Sequence, residues 1–325
     1  MPIRRADSAL TSFARTFGGL ALLTTGFLAT LGTLLGFFGN LWWAFDAMAN
    51  LRLQYAIVLI VTGILYGLIL GRTTAIVFLA AAVVNVFVLL PLYFDSPARR
   101  LDDVALNVIT LNVQSAGSQR TNIIEYLAES NAGLVFLQET TEDWGEDLAT
   151  EDFPFQITTE IPPDRVYGMT VLSTGDVEVE SFTSGAVQEQ VLRVESAVGD
   201  YPIVLYAVHA RTPTSPEDAA ARDEVLNEVA RRARDETLPV VVVGDFKATP
   251  WSHAFRDLQS TADLVDSTRG FGYQPTWPGS SWIILALPVD HLLHSPELTT
   301  VDRRIGPDLG SSHRPLLVQL ARAGA

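Results

Sequence analysis

Six short segments in the last two thirds of the chain end in side chains that can do acid–base or metal chemistry. They are VITLNVQS (108–115), LVFLQET (134–140), LYAVHART (205–212), VVVVGDFKATPWS (240–252), PVDHLLHS (288–295) and GSSHRPLL (310–317). Most couple an apolar, strand-like run to polar groups at its C-terminal end, where a packed sheet can present chemistry without burying unpaired polar atoms. Together they supply Asn112, Glu139, His209, Asp245, Asp290 and His313. The chain has no cysteine and no Gly-x-Ser-x-Gly turn, so a thiol nucleophile and the serine of a nucleophile elbow are both absent. The set suits metal-assisted attack of water on a phosphorus ester.

Each residue has chemistry suited to that reaction. Glu139 closes an apolar run, and a hard cation such as Mg²⁺ prefers one or two carboxylates plus water. The Asn112 amide can accept at a metal-bound water and donate to a phosphate oxygen. His209 can hydrogen-bond or protonate a phosphate oxygen. Asp245 leaves a run of four valines and a glycine that reads as a fully buried strand, and a carboxylate there is costly unless used or paired. Lys247 is the only lysine of the chain, against 21 arginines; its ammonium can contact a phosphate or pair with Asp245.

The order and wording of the six segments resemble the endonuclease/exonuclease/phosphatase superfamily, which includes deoxyribonuclease I-like nucleases, inositol polyphosphate phosphatases and neutral sphingomyelinases. The likeness runs from about Asn107 to the C-terminus. It implies a four-layer αββα sandwich with the site at one edge, Mg²⁺ or Mn²⁺ as cofactor, and Glu139 as principal metal ligand with Asn112 beside it. It further implies that Asp245 orients or deprotonates the attacking water, and that Asp290 holds His313. Two positions depart from the pattern: Gly244-Asp245-Phe246-Lys247 replaces GDFN, and Ser311-Ser312-His313 replaces SDH. Gln114 also stands where some family nucleases carry an acid. Ser312 is a poorer Mg²⁺ ligand than aspartate, and Lys247 can support charge on phosphorus or quench Asp245. These departures keep a second reading open: a degenerate member that binds a phosphorylated ligand or partner without turnover.

Upstream, residues 17–39, 55–70 and 73–94 are apolar stretches almost free of charge, and the first is long enough to cross a hydrocarbon core of ~30 Å. They predict a membrane domain of three transmembrane helices over 1–96 and a catalytic domain over 97–325, the break lying at Asp95-Ser96-Pro97. Arg4, Arg5, Arg15 and Arg72 on one side, against Arg52, Arg99 and Arg100 on the other, place the N-terminus inside and the catalytic domain outside the cell membrane.

In the catalytic part, strands are expected at 104–113, 133–138, 168–173, 177–183, 190–197, 202–209, 239–244, 289–294 and 315–320. Helices are expected at 119–130, 216–235 and 251–258, with a loop to about 160. This is an α+β pattern. Ser215-Pro216-Glu217-Asp218 is a helix start. His291 and His294 read as ordinary strand residues, and Trp144, Trp251, Trp277 and Trp282 as core or rim. The formal charge is −15, with only Asp7 and Asp46 of the 37 acids before residue 95. An acidic domain disfavours long nucleic acids, whose binding rests on a basic face. A lipid or small-molecule phosphate ester met near the membrane is the expected substrate.

Overall fold

The apolar stretches form α1 (Ile3–Leu35), α3 (Arg52–Ile69) and α4 (Arg72–Leu89), with a 3₁₀ turn at Gly36–Phe38 and a short α2 (Trp43–Ala49) after the first. The structure, a computed structural model, describes residues 3–94, 100–114, 120–149, 152–162, 165–184, 188–279, 282 and 284–324. The expected break at Asp95-Ser96-Pro97 lies outside these. Phe17–Phe38, Arg52–Ile69 and Arg72–Leu89 are long and apolar enough to cross a membrane by length and composition. The third stretch does not run on to residue 94. Pro91 has no N–H and its ring crowds the preceding turn, so the helix stops at Leu89 and the chain resumes as one turn, α5 (Pro91–Phe94).

The chain divides into two compact units, Met1–Leu90 and Pro91–Ala325. In the first, a buried polar knot ties three helices. Asn85 Nδ2 donates to Thr33 Oγ1 at 2.8 Å, and Arg52 Nη1 donates to Thr33 O at 2.8 Å and to Asn85 Oδ1 at 3.4 Å. The Arg52 guanidinium also lies over the Phe37 ring. Apolar side chains such as Phe17, Leu68 and Phe87 remain on the outside.

In the second unit the elements run β1 (Arg100–Asn112), α6 (Arg120–Ala128), β2 (Leu134–Thr140), α7 (Glu142–Leu148), β3 (Gln156–Glu160), β4 (Gly168–Ser173), β5 (Glu178–Ser184), β6 (Glu189–Val198), β7 (Tyr201–His209), α8 (Pro216–Asp235), β8 (Val240–Asp245), α9 (His253–Thr261), β9 (Val265–Asp266), β10 (Asp290–His294), β11 (Leu298–Ile305) and β12 (Leu316–Ala323). Two six-stranded sheets result, ordered β11-β12-β1-β2-β4-β3 and β5-β6-β7-β8-β10-β9. In β8, Val241 and Val243 enter the core between the sheets, while Val240 and Val242 enter the core beneath α8 and α9. Both faces are covered, which is why the strand reads as an unbroken apolar run. A third core lies between the first sheet and α6 and α7. The layers are therefore helix, sheet, sheet, helix, an αββα sandwich.

The expected loop before residue 160 contains α7 and β3. In α7 the first-turn acids Glu142 and Asp143 suit the helix dipole, while Trp144 and Leu148, one turn apart, are fully buried. Acid-rich composition hid that pair. β9 and β11 were also not expected. Each is an edge strand, where polar side chains are tolerated and the alternation weakens. Trp144 and Trp251 are buried, whereas Trp277 and Trp282 are exposed.

Candidate active site

Strand register explains how residues far apart in sequence meet. β7 and β8 run parallel with His209 opposite Asp245, and β10 runs antiparallel to β8 with Asp290 opposite Asp245. In the other sheet β1 and β2 run parallel, with Asn112 opposite Gln138. β12 is antiparallel to β1, so the turn before it, carrying His313, lies beside the end of β1. All six expected residues thus emerge at one edge of the sandwich.

Local backbone details aim them. Glu139 is a bulge: Gln138 pairs with Met169 and Thr140 with Gly168, leaving Glu139 unpaired at φ +59°. A bulge re-aims its side chain out of the ladder. Gly168 is required beneath it, because a Cβ there would lie 2.0 Å from Glu160 O. Gly244, at φ +133°, meets the same limit: its Cβ would lie 2.0 Å from Val208 O. That close approach keeps β7 and β8 in register immediately before Asp245.

Asn112 is the hub. Its Nδ2 donates to Glu139 Oε1 at 2.8 Å and to Asp245 Oδ2 at 3.0 Å, and lies 3.5 Å from His209 Nε2. Its Oδ1 accepts from the Gln114 N–H at 2.9 Å. The amide therefore faces the site as a donor, and direct metal ligation by Asn112 would require it to turn over. His209 Nε2 lies 3.2 Å from Glu139 Oε1. Burial would raise the Glu139 pKa, but hydrogen bonds from His209 and Asn112 outweigh it and hold the carboxylate ionised.

Asp245 is fully buried and Lys247 nearly so. The Lys247 ammonium pairs with Asp245 Oδ2, and the Lys247 N–H donates to Asp245 Oδ1 at 3.1 Å. Burial pushes the Asp245 carboxyl up, but Lys247, His313 and His209 pull it well below the ordinary value. Conversely, burial pushes Lys247 down and Asp245 more than compensates. Lys247 sits at φ +50°, in the left-handed region that asparagine tolerates better than lysine. His313 Nδ1 bonds Asp290 Oδ2 at 2.8 Å, and its Nε2 lies 3.6 Å from Asp245 Oδ2. Burial disfavours the imidazolium, but Asp290 and Asp245 raise the His313 pKa above its ordinary value.

Glu139, His209 and Lys247 line a cavity of about 350 Å³. The same cavity is lined by Arg165, Glu189 and Arg211, which sequence reasoning missed. The one available signal was the spacing of His209 and Arg211, two residues apart at a strand end and so on the same side. Ser311 was missed too. Its Oγ donates to Asn112 O at 2.6 Å and accepts from the His313 N–H at 3.2 Å, fastening the His313 turn to β1. No side-chain hydrogen bond of Ser312 or Gln114 enters the site among the described residues.

The donors suit a hard divalent cation. Glu139 offers carboxylate oxygens at the cavity wall, and Asp290 Oδ1 is buried with no hydrogen-bond partner among the described residues. Asp245, Asp290 and His313 each place one ligand atom within 4.8 Å of the others. Lys247 shares the Asp245 carboxylate with any such ion.

Comparison with known structures gives the same sandwich. D. rerio TDP2 complexed with a single-strand DNA product superposes with a TM-score of 0.55 at 16% identity, over 67% of this chain and 99% of that one. The human Nocturnin catalytic domain with bound sulfate gives 0.52 at 15% identity, over 69% and 96%. An endonuclease/exonuclease/phosphatase from Beutenbergia cavernae gives 0.52 at 19% identity, over 70% and 73%. Identities this low speak for the fold alone. No curated protein sequence matches the chain. The sequence model of the Endonuclease/Exonuclease/phosphatase family matches residues 109–313, from β1 to the histidine of the last turn, and the chain belongs to that family.

Proposed function

We propose that this protein is a membrane-anchored, divalent-metal-dependent phosphodiesterase acting on a lipid or small-molecule phosphate ester by attack of water. Members of the family are mostly phosphoric ester hydrolases and typically need a divalent metal. The observation that carries the reading is the convergence of Asn112, Glu139, His209, Asp245, Asp290 and His313 from both sheets at one edge of the sandwich, where Glu139 and His209 reach the cavity lining.

Glu139 would hold the Mg²⁺ or Mn²⁺, with Asn112 joining it if its amide turns over. When bound, such an ion would polarise the phosphoryl oxygens and offset their growing charge. The side chains do the rest. Asn112 and His209 donate to phosphate oxygens. Asp245, held well below its ordinary pKa, orients the attacking water, whose proton stays on a phosphate oxygen of the product as the new bond to phosphorus forms. Lys247 lies against the same carboxylate and adds positive charge where the phosphoryl group would sit. His313, kept cationic by Asp290, protonates the leaving oxygen as its bond to phosphorus breaks.

Burial of Arg52 also bears on the proposed orientation. An arginine tied to Thr33 and Asn85 inside the helical unit does not act as a flanking charge. Removing it from the outer count leaves Arg99 and Arg100 against four arginines on the inner side, which supports an extracytoplasmic catalytic domain.

Pairing of Lys247 with Asp245 favours a second reading, binding of a phosphorylated ligand without turnover. One assay separates the two: hydrolysis of an aryl phosphodiester by the full chain in detergent, with and without Mn²⁺, beside Asp245→Asn. Metal-dependent turnover lost in the variant supports the enzyme. Equal rates in both proteins would refute the role of Asp245. Silence from the native chain, with turnover in Lys247→Asn/Ser312→Asp, would favour the binding protein.

A further inference from the structure

We infer that Arg165 and Arg211 form a second anion subsite, so that the ligand is a small molecule carrying a second phosphate-like group beside the one at Glu139, His209 and Lys247. This rests on reading the cavity as a phosphate-ester site and narrows its substrate class.

Both guanidiniums lean on a single atom. Arg165 Nη2 and Arg211 Nη2 approach Glu189 Oε1 at 3.3 and 2.5 Å. The two nitrogens therefore lie within about 6 Å of each other, close enough for their charges to repel. Glu189 is buried and supplies one negative charge for the two. Among the described residues Asp218 is 3.7 Å from Arg211 Nη1 and already accepts hydrogen bonds from Thr214 and Ser215 at the start of α8. A guanidinium has five N–H donors. Arg165 spends one nitrogen on Glu189 and Gln188 O, leaving its Nε and Nη1 without a protein partner among the described residues. Arg211 Nε is likewise unused. The two side chains are 38% and 39% exposed, and both line the cavity.

The arrangement is held in place yet unsaturated, which suits bidentate capture of phosphate by arginine. Its volume of about 350 Å³ lies in the range of small-ligand pockets rather than polymer grooves. Glu139, His209 and Lys247 line the same space as the arginine pair.

The test is equilibrium binding to the full chain in detergent, read by calorimetry and independent of turnover. The probes are α,ω-alkanediol bisphosphates of graded length, each matched with the monoalkyl phosphate of equal length. At least one bisphosphate should bind about tenfold tighter than its partner, the gain expected from one added charge-assisted contact. Arg165→Gln and Arg211→Gln, each checked for an unchanged melting profile, should each collapse that ratio. No preference at any length, or a preference surviving in both variants, would overturn the subsite. Selective binding without hydrolysis of any ester would keep the subsite and remove the enzyme; hydrolysis without selectivity would do the reverse. Dodecyl diphosphate against ethyl diphosphate in the same micelles identifies the source. Tighter binding of the dodecyl ester marks a lipid head group, and equal binding a soluble ligand.

Discussion

Two clusters of charged side chains, one around Asp245 and one around Glu189, solve the problem of confined charge differently. Around Asp245 every strong charge has an internal counterpart: Asp245 has Lys247, His313 has Asp290, and Glu139 has Asn112 and His209. Around Glu189 one carboxylate oxygen serves two guanidiniums that are more than a third exposed. The first cluster is preorganised and holds its shape alone. The second leaves Arg165 and Arg211 nitrogens without a protein partner among the described residues. Self-sufficiency suits the proposed chemistry at the first, and unspent donors suit the proposed ligand at the second.

The sharpest way to break this contrast is Asp245→Asn. Under the proposed reaction, loss of the charge that faces Lys247 should lower kcat by about 10³-fold, within the range for a positioned acid–base group. Steady-state turnover of a soluble diester checks it. Next is Lys247→Met, which leaves a buried carboxylate without its cation. Stability should fall by roughly 3–5 kcal/mol, measured by denaturant melting. Lys247→Asn should cost less, because asparagine relieves the left-handed backbone and can still hydrogen-bond the carboxylate. Glu189→Gln, in the half-exposed cluster, should cost under about 1 kcal/mol. Equal losses from Lys247→Met and Glu189→Gln would erase the distinction.

Smallest is the pH dependence. The His313 pKa is raised in the folded state, so its contribution is fully present below the ordinary histidine value and is lost as pH rises through the folded value. His291 and His294 are lowered by burial, so they oppose folding as pH falls below that ordinary value. Melting temperature against pH should therefore fall on both sides, and His313→Gln should remove only the alkaline limb.

Sequence made some of this legible and hid the rest for physical reasons. β8 was readable because both its faces are covered, and α8 because Ser215 Oγ accepts from the Asp218 N–H at 3.1 Å ahead of a first-turn proline. The residues around Asp245 could be named because each lies at or beside a strand end. Their partnerships could not: the donor orientation of Asn112 depends on the Gln114 backbone, and the aim of Glu139 depends on a bulge. The arginine cluster was invisible because Arg165, Glu189 and Arg211 come from three separate segments, two joined by the pairing of β6 with β7 and the third, Arg165, from beside the other sheet.

The pairing of the first strand with the last sets a clock. β1 lies between β2 and β12, and Asn107 and Gln319, hydrogen-bonded across that seam, are 212 residues apart. At ~5–20 residues per second a ribosome needs about 10–40 s to bridge that gap. Until then β1 has β2 on one flank and a bare hydrogen-bonding edge on the other, a template for pairing with the wrong chain. The apolar helices have already emerged by that time. A newborn chain is thus a set of long apolar helices followed by a half-built sheet, and the edge that carries Asn112 and His313 is complete only when β12 closes it.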